Sequence, residues 1–548
     1  MRESASFFHV YLEAFSYIQS TLIRKPAPDF LRPMFNLTTI LEHHARNSPN
    51  RDAVIFMDRT LSFAHLNAAA NQVANGLRGL GIQPGDKVAL TCVNVPYFPM
   101  IYFGILKAGA VVVPLSVLLK HKEVAYHLQD SEAKAYFCFV GTPEVPMGQE
   151  GYEGFREVDS CEHFFMITPV PTDPSPIEGT KTFGMFLAGQ SAAFETHPTE
   201  PNDTAVIIYT SGTTGRPKGA ELTHANLMFN AILSADLLQL DAEARQVIVL
   251  PLFHIFGQTV QLLAGIYRGA SAVLVPRFDA KTVLNLFEKG GITHFAGVPT
   301  MYWGLLHAPL DGVDFEAIRK NLKLCVSGGA ALPVQVLRDF EAKFEVAILE
   351  GYGMSEGSPV VTFNHYNRVR KPGSVGTPVW GVEVCIMDEA GNQLGNNEKG
   401  EICYRGHNVM KSYYKRPEAT AETIVGGWLH SGDIGYRDDD GYYFIVDRTK
   451  DLIIRGGYNV YPREVEEAMM QHPAVSMVAV IGVPHEQYGE EIKAYVVCKP
   501  DVEVTEDSLV EWTKEQIAMY KYPRFVEFVH ALPMSASGKI LKRELRGH

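Results

Sequence analysis

Cationic side chains are in deficit in this 548-residue chain: 49 Lys and Arg face 62 Asp and Glu, a formal net charge of −13. That sign excludes a protein built to grip nucleic acid through sequence-independent phosphate contacts. A few converging cations and backbone N–H groups still suffice for a small anion. Cysteine is sparse too. The seven (Cys92, Cys138, Cys161, Cys325, Cys385, Cys403, Cys498) are scattered, odd in number and without a CxxC pair. Their spacing offers neither a disulfide framework nor a metal-ligand pattern, and it fits reduced thiols in a cytoplasmic compartment. Long apolar runs are missing as well. The richest stretch, Gly104 to Leu119, is broken by Lys107 and Pro114, short of the roughly 18 uninterrupted residues a membrane span needs.

What the chain has in quantity is core material. A hydrophobic fraction of 46% excludes a disordered chain, and the length suits several packed units. Near the N-terminus Phe7, Tyr11, Phe15, Ile18 and Leu22 recur at helical spacing. Glu13 sits within this stripe and no small-residue cleavage site follows, which argues against a secretory signal. Residues 1–30 are therefore read as a helical extension. It either docks on the protein's own surface or lies against a membrane through residues 1–25.

From Asp86 strand-like and helix-like segments alternate. Val88–Leu90 reads as a buried strand, Tyr97–Lys107 as a helix and Ala110–Pro114 as another buried strand, a pattern of α/β layers with parallel strands. Eight prolines between Pro143 and Pro201 mark an excursion of loops and short elements, placed between two subdomains. Strand character returns at Ala205–Tyr209, Gln246–Leu250, Ser271–Val275 and Leu322–Val326. Near the C-terminus Pro462 opens a helix with Glu464, Glu466 and Glu467 at its start. Strands over Val475–Ile481 and Ile492–Val497, a helix from Ser508 to about Met519 and a strand over Arg524–Val529 follow. The expected architecture is α/β: a large N-terminal domain of several subdomains with layered sheets and helices (31–449), then a small mobile α+β domain (450–548).

The strongest local signal runs from Tyr209 through Thr210, Ser211, Gly212, Thr213, Thr214, Gly215, Arg216 and Pro217 to Lys218 and Gly219. Glycines let backbone N–H groups turn toward a polyanion, hydroxyls donate to phosphate oxygens, and a lysine adds point charge. A strand precedes the loop, and a second short strand with Thr223 as helix N-cap follows it. It is not the Gly-Lys-Ser/Thr loop of common ATPases, since here the lysine precedes a glycine.

Further motifs follow in order: Ser327-Gly328-Gly329-Ala330, Gly351-Tyr352-Gly353-Met354-Ser355-Glu356, Ser431-Gly432-Asp433, Asp447-Arg448-Thr449-Lys450-Asp451 and Ser537-Gly538-Lys539-Ile540. As an ordered set spanning about residues 35 to 545, they resemble the adenylate-forming superfamily of acyl-CoA synthetases, nonribosomal adenylation domains and firefly-type luciferases, and are most like the fatty acid–CoA ligases. Ser355 stands where many members carry threonine; the hydroxyl is kept. The resemblance implies ATP, Mg²⁺ and coenzyme A. It implies nucleotide contacts from Thr210–Gly215, Lys218, Gly329, Glu350–Ser355, Asp433 and Arg448, with Thr210 and Glu356 at the magnesium ion. Tyr352 offers a flat face for adenine, and Asp433 is expected to accept from the ribose hydroxyls.

Lys539 lies in a loop of small residues able to close on a ligand. When a carboxylate attacks a phosphate, an ammonium between them lowers the barrier. The resemblance places a hinge at Lys450 and brings Gly456, Gly457 and Tyr458 to a thiol tunnel. Gly456-Gly457 also reads as an ordinary hairpin turn.

Pro251-Leu252-Phe253-His254-Ile255-Phe256-Gly257 lacks the buried carboxylate an amino acid's ammonium would require. His254, Val298, Met301, Tyr302, Gly328 and Gly329 are expected around the acyl group. Apolar and small residues suit an aliphatic tail and an aryl ring alike, and the N-terminal aromatic stripe favours a medium- or long-chain fatty acid. An aryl or cinnamate-type acid, or an acyl-adenylate ligase feeding a carrier protein, stays open. A catalytically silent relative is disfavoured, since Lys539, Glu356 and Lys218 are all kept.

Overall fold

The computed structural model describes residues 35–210, 216–500, 502 and 504–546. The N-terminal helical stripe and the expected membrane contact of residues 1–25 lie outside the described residues, as do Ser211 to Gly215.

Two large sheets stack around a shared helical layer. One has eight strands, in the order 412–413, 218–223, 204–210, 111–115, 87–91, 133–139, 163–167 and 181–182. Its centre is parallel; only the strands Lys218–Thr223 and Ser412–Tyr413 run antiparallel to their neighbours. The other has nine, in the order 377–378, 360–363, 348–353, 324–327, 294–297, 245–248, 271–274, 52–56 and 59–62. Side chains alternate across each sheet with period two. Val88, Leu90 and Val112 face the layer between the sheets, where the helices Phe63–Gly79, Tyr97–Lys107 and His224–Leu237 pack. Ala89, Val111 and Val113 face an outer core under the helices His121–Ser131 and Met147–Arg156. Val247 and Val273 of the second sheet likewise face the helices Ala280–Lys289, Pro299–His307 and Val334–Phe344.

A third sheet carries the strands Val382–Met387, Gly400–Gly406, Trp428–Arg437, Ile424–Val425 and Tyr443–Arg448. The small C-terminal domain has its own five-stranded sheet, in which Phe525–Phe528 lies parallel to Gly489–Cys498. The helices Pro462–Met469 and Glu506–Gln516 bury Val465, Met469 and Leu509 against it. Pro462 sits in the first turn of its helix, where a missing N–H costs nothing. The Arg463 amide donates to Asp447 Oδ2 at 3.0 Å and its guanidinium to the Ile445 carbonyl at 2.6 Å, which docks that helix on the strand Tyr443–Arg448.

The proline-punctuated stretch corrects the sequence reading. It does not separate two subdomains. It builds the helix Met147–Arg156, the strands His163–Ile167 and Lys181–Thr182 and the helix Phe183–Leu187, and the strands extend the edge of the eight-stranded sheet. The glycines hid the helix. A Cβ at Gly148 would lie 2.8 Å from Met166 Sδ, one at Gly151 2.5 Å from Cys138 Sγ, and one at Gly154 2.5 Å from the His121 carbonyl. They let the helix approach the sheet closely, although singly each reads as a breaker.

Lys107, which interrupts the apolar run, is wholly buried. Its ammonium is paired with Glu42, which also accepts from the Thr196 hydroxyl; Lys107 Nζ lies 3.2 Å from that hydroxyl. Burial pushes the Glu42 carboxyl up, and the bonds from Lys107 and Thr196 more than reverse this, leaving it below the usual range. Among the described residues no helix is long and apolar enough to cross a membrane. Lys107→Met should cost about 3–5 kcal/mol by leaving the buried Glu42 oxygen without its cation, Arg46 lying 3.7 Å from the other oxygen, and is read as a lowered urea midpoint. Adding Glu42→Gln should recover most of that loss; an unrepaired double variant would assign the cost to packing.

Candidate active site

The strands Thr204–Thr210 and Lys218–Thr223 form an antiparallel hairpin in which Thr210 stands opposite Lys218. Residues 211–217 connect them. Tyr126 donates to the Pro217 carbonyl at 2.7 Å and pins the base of the connection. Lys218 Nζ stands 5.2 Å from the centroid of the Tyr413 ring, and Tyr413 donates to Glu356 Oε1 at 2.8 Å. Glu356 is buried in the short 3₁₀ turn Ser355–Gly357. The cation of the hairpin and the carboxylate of a distant motif thus meet across one phenol ring.

That turn follows the strand Ile348–Gly353. Gly351 and Gly353 answer to packing: a Cβ on the first would lie 2.3 Å from the Phe363 ring, and one on the second 1.9 Å from the Pro359 carbonyl. Met354 donates its amide to that same carbonyl at 3.1 Å. Glu350 points its carboxylate into the core. One oxygen accepts from the Leu332 amide at 2.9 Å and the other has no hydrogen-bond partner among the described residues; burial pushes the carboxyl up to about 7. Its role in this geometry is to hold the backbone that follows Gly328 and Gly329.

Tyr352 donates to Asp433 Oδ2 at 2.7 Å, while the Arg448 guanidinium lies 3.1 Å from Asp433 Oδ1. Asp433 and Arg448 are direct cross-strand neighbours. Ser431 secures the approach to Asp433, accepting its amide at 3.1 Å and donating to the Ile402 carbonyl at 2.6 Å.

Lys539 arrives from the other end of the chain. A Cβ built on Gly329 would stand 3.2 Å from Lys539 Cε and 3.8 Å from Nζ, crowding the lysine, and the φ of +80° there favours glycine in its own right. Thr300 donates to the Gly538 carbonyl at 2.9 Å and anchors the loop on the helix Pro299–His307. Burial draws the Lys539 ammonium down to about 8, with Arg448 adding to the fall and Asp433 and Glu356 opposing it. Both carboxylates are therefore within electrostatic reach. His254 is held neutral: burial, then the nearby Lys539, lowers it to about 3, and its Nδ1 accepts the Phe256 amide at 3.3 Å.

Of the expected acyl wall, Gly328 lies under the Phe256 ring, at 3.3 Å from where a Cβ would be, and Val298 touches the Gly329 and Gly538 positions. Met301 is buried on the same helix. Tyr302 is wholly enclosed by Phe295 and Phe340 and donates to the Val326 carbonyl at 2.6 Å, so it backs the wall from the core side. Gly456 and Gly457 form the tip of the hairpin between Ile453–Arg455 and Tyr458–Val460, both at positive φ. Their contacts are within the small domain: the Gly456 amide donates to the Tyr488 carbonyl at 2.8 Å and Tyr458 packs on Tyr520. Lys450 is exposed in the 3₁₀ turn Thr449–Asp451.

The donor set fits a magnesium ion, a hard cation that prefers oxygen ligands. Tyr413 donates to Oε1 of Glu356, which leaves the carboxylate a second oxygen to offer a cation. Sequence reasoning missed Tyr413 and Thr300. Each acts through one hydroxyl in a segment without a glycine pattern, so nothing local distinguishes them.

The family described as AMP-binding enzyme matches residues 41–414, and its C-terminal domain matches 464–539. The chain is 36% identical to a long-chain-fatty-acid–CoA ligase of Bacillus subtilis over 532 residues, 94% of each chain. It is 37% identical to a feruloyl-CoA synthase of Amycolatopsis over 508 residues, 92% of this chain and 96% of that one. Among solved structures, the ATP-bound MatB of Rhodopseudomonas palustris superposes with a TM-score of 0.85 at 33% identity, covering 94% of this chain and 98% of its own. With residues 41–414 matched by that family and Lys218, Glu356, Asp433 and Lys539 gathered around one cleft, the chain belongs to the AMP-binding enzyme family.

Proposed function

We propose that this AMP-forming acid–CoA ligase activates a medium- or long-chain fatty acid, with Lys539 as the group that drives the first step. The observation that carries the reading is the seat of Lys539: beside Gly329, within reach of Glu356 and Asp433, on a loop from the small domain. A carboxylate oxygen attacks the α-phosphorus of ATP, and the bond from that phosphorus to the bridging oxygen of pyrophosphate breaks. The thiol sulfur of coenzyme A then attacks the acyl carbon and AMP leaves. Activation is required because a free carboxylate has no adequate leaving group.

In this reading Lys218 and the Thr210–Gly215 hairpin hold the β- and γ-phosphates, and the Tyr352 ring lies along the adenine. Asp433, with Arg448 behind it, receives the ribose hydroxyls. The ammonium of Lys539 spans the attacking carboxylate and the α-phosphate, where negative charge accumulates. Thr210 and Glu356 would hold Mg²⁺, which neutralises phosphate charge when bound. Neutral His254 lets the apolar tail pass without meeting a buried cation. A boundary at 449/450 makes Lys450 the hinge. Withdrawing Lys539 and bringing Gly456, Gly457 and Tyr458 to the cleft needs a swing about that turn, since in this structure the hairpin stays in the small domain.

The fatty acid is favoured by the apolar wall, by the likeness to the Bacillus long-chain ligase and by the aromatic N-terminal stripe. The second reading, an aryl or cinnamate-type acid, is favoured by the equal likeness to a feruloyl-CoA synthase. Pyrophosphate release measured over fatty, cinnamate-type and amino acids, with coenzyme A present, should be highest for medium- and long-chain fatty acids and absent for amino acids. A preference for cinnamate-type acids would replace the proposal, and acyl-AMP accumulating despite coenzyme A would move the acceptor to a carrier protein.

The half-reactions separate the two domains' roles. Lys539→Ala should slow acyl-adenylate formation by about 10²–10³-fold while transfer from preformed acyl-adenylate to coenzyme A is largely kept; equal loss in both would refute its role. Lys450→Pro, by stiffening the turn, should slow thioester formation more than adenylation, and a uniform effect would count against the hinge.

A further inference from the structure

Outside the cleft, one cluster of chemically distinct side chains is held by strand register alone. On the strand Gly400–Gly406, Glu401 and Cys403 lie two residues apart on one face, and antiparallel pairing sets His430 opposite Cys403. The register slips there: Glu401 pairs with Ile434, so two steps along one strand match four along the other. Ser431, Gly432 and Asp433 thus stand opposite Ile402 alone and form a bulge.

His430 Nδ1 is 3.4 Å from Cys403 Sγ and 2.7 Å from Glu401 Oε2, and the three donor atoms lie within 4.8 Å of one another. A cysteine–histidine–acid proton relay would use the two different ring nitrogens. Here the same nitrogen faces both partners, so sulfur, nitrogen and oxygen converge on a point. Tetrahedral zinc with ligands at about 2.0–2.3 Å needs donor separations of roughly 3.3–3.7 Å. The sulfur–nitrogen pair is already there, and the nitrogen–oxygen pair opens by about half an ångström. Cys403 is buried, while the Glu401 and His430 side chains are 26% and 24% exposed, which leaves a fourth position open to water. The other Glu401 oxygen accepts the Gly432 amide at 2.8 Å, so the carboxylate would join the ion to the bulge. The grouping of His121, Glu150 and Glu153 is a poorer ligand set: it has no thiol, and the Lys120 ammonium already sits 3.0 Å from Glu150.

We propose that Glu401, Cys403 and His430 bind one zinc-class divalent cation with water in the fourth position, and that the ion clamps the bulge that carries Asp433. As the metal–sulfur bond forms, the thiol proton leaves to solvent; the ring proton comes to rest on Nε2 and Nδ1 donates its lone pair to the metal. Sequence spacing concealed the site because His430 comes from a different strand.

Metal-free full-length protein, without nucleotide, is titrated with Co²⁺ as an optical stand-in for zinc. The expected result is a thiolate-to-cobalt charge-transfer band saturating at one equivalent and retained in Cys498→Ser. Cys403→Ser should abolish it, and Glu401→Gln and His430→Gln should weaken binding at least tenfold with an unchanged far-ultraviolet circular dichroism spectrum. Glu401→Gln still accepts the Gly432 amide, so its fold is safeguarded. No band in the parent protein, or a band that survives Cys403→Ser, overturns the site. One equivalent of Zn²⁺ should lower pyrophosphate release several-fold in the parent protein and leave Cys403→Ser unaffected; equal rates with and without zinc in the parent overturn the clamp.

Discussion

Placing an ammonium in a partly dry cleft is costly unless anions stand near it, and the geometry around Lys539 is arranged for that need. Burial and Arg448 depress its protonation, and Asp433 and Glu356 restore part of it. The small domain sits where it does because its loop must deliver this side chain. Gly329 supplies the room, Thr300 the anchor, and the docking of Arg463 on Asp447 and Ile445 the register of the whole domain.

The two carboxylates are themselves prepared. Asp433 is held by Tyr352 on one oxygen and Arg448 on the other, and Glu356 by Tyr413. Each phenol fixes a carboxylate before any ligand arrives, which reduces the reorganisation the reaction would otherwise require. Tyr413 also offers its ring face to Lys218. One tyrosine therefore links Lys218 of the hairpin to the turn that bears Glu356, far later in the chain.

How much of this was legible in the sequence differs by element. The helix Tyr97–Lys107 and the buried strands around it follow from apolar periodicity, because a residue enclosed on all sides has few options. The Pro462 helix and the Thr223 cap follow from local rules about orphan N–H groups. The helix Met147–Arg156 did not, since three glycines required by a neighbour's surface look identical to three glycines that end a helix. Within the cleft, glycine-marked motifs pointed to Gly329, Glu356 and Lys539, whereas Thr300 and Tyr413 depend on what lies across a gap. Glu350 and Tyr302 sit in stretches with the right motif yet turn their side chains to the core, and only the alternation of faces, seen in three dimensions, separates them from their neighbours.

The glycine-lined face of the helix Met147–Arg156 has a consequence for how the protein can drift. Its stripe toward the sheet tolerates no added carbon, because Met166, Cys138 and the His121 carbonyl already fill the space. The opposite side, with Gln149 and Glu153, meets water. Natural variation should therefore be frozen along one edge of this helix by volume and free along the other, so that a segment remote from the chemistry would pass for a functional signature in any comparison of homologous chains.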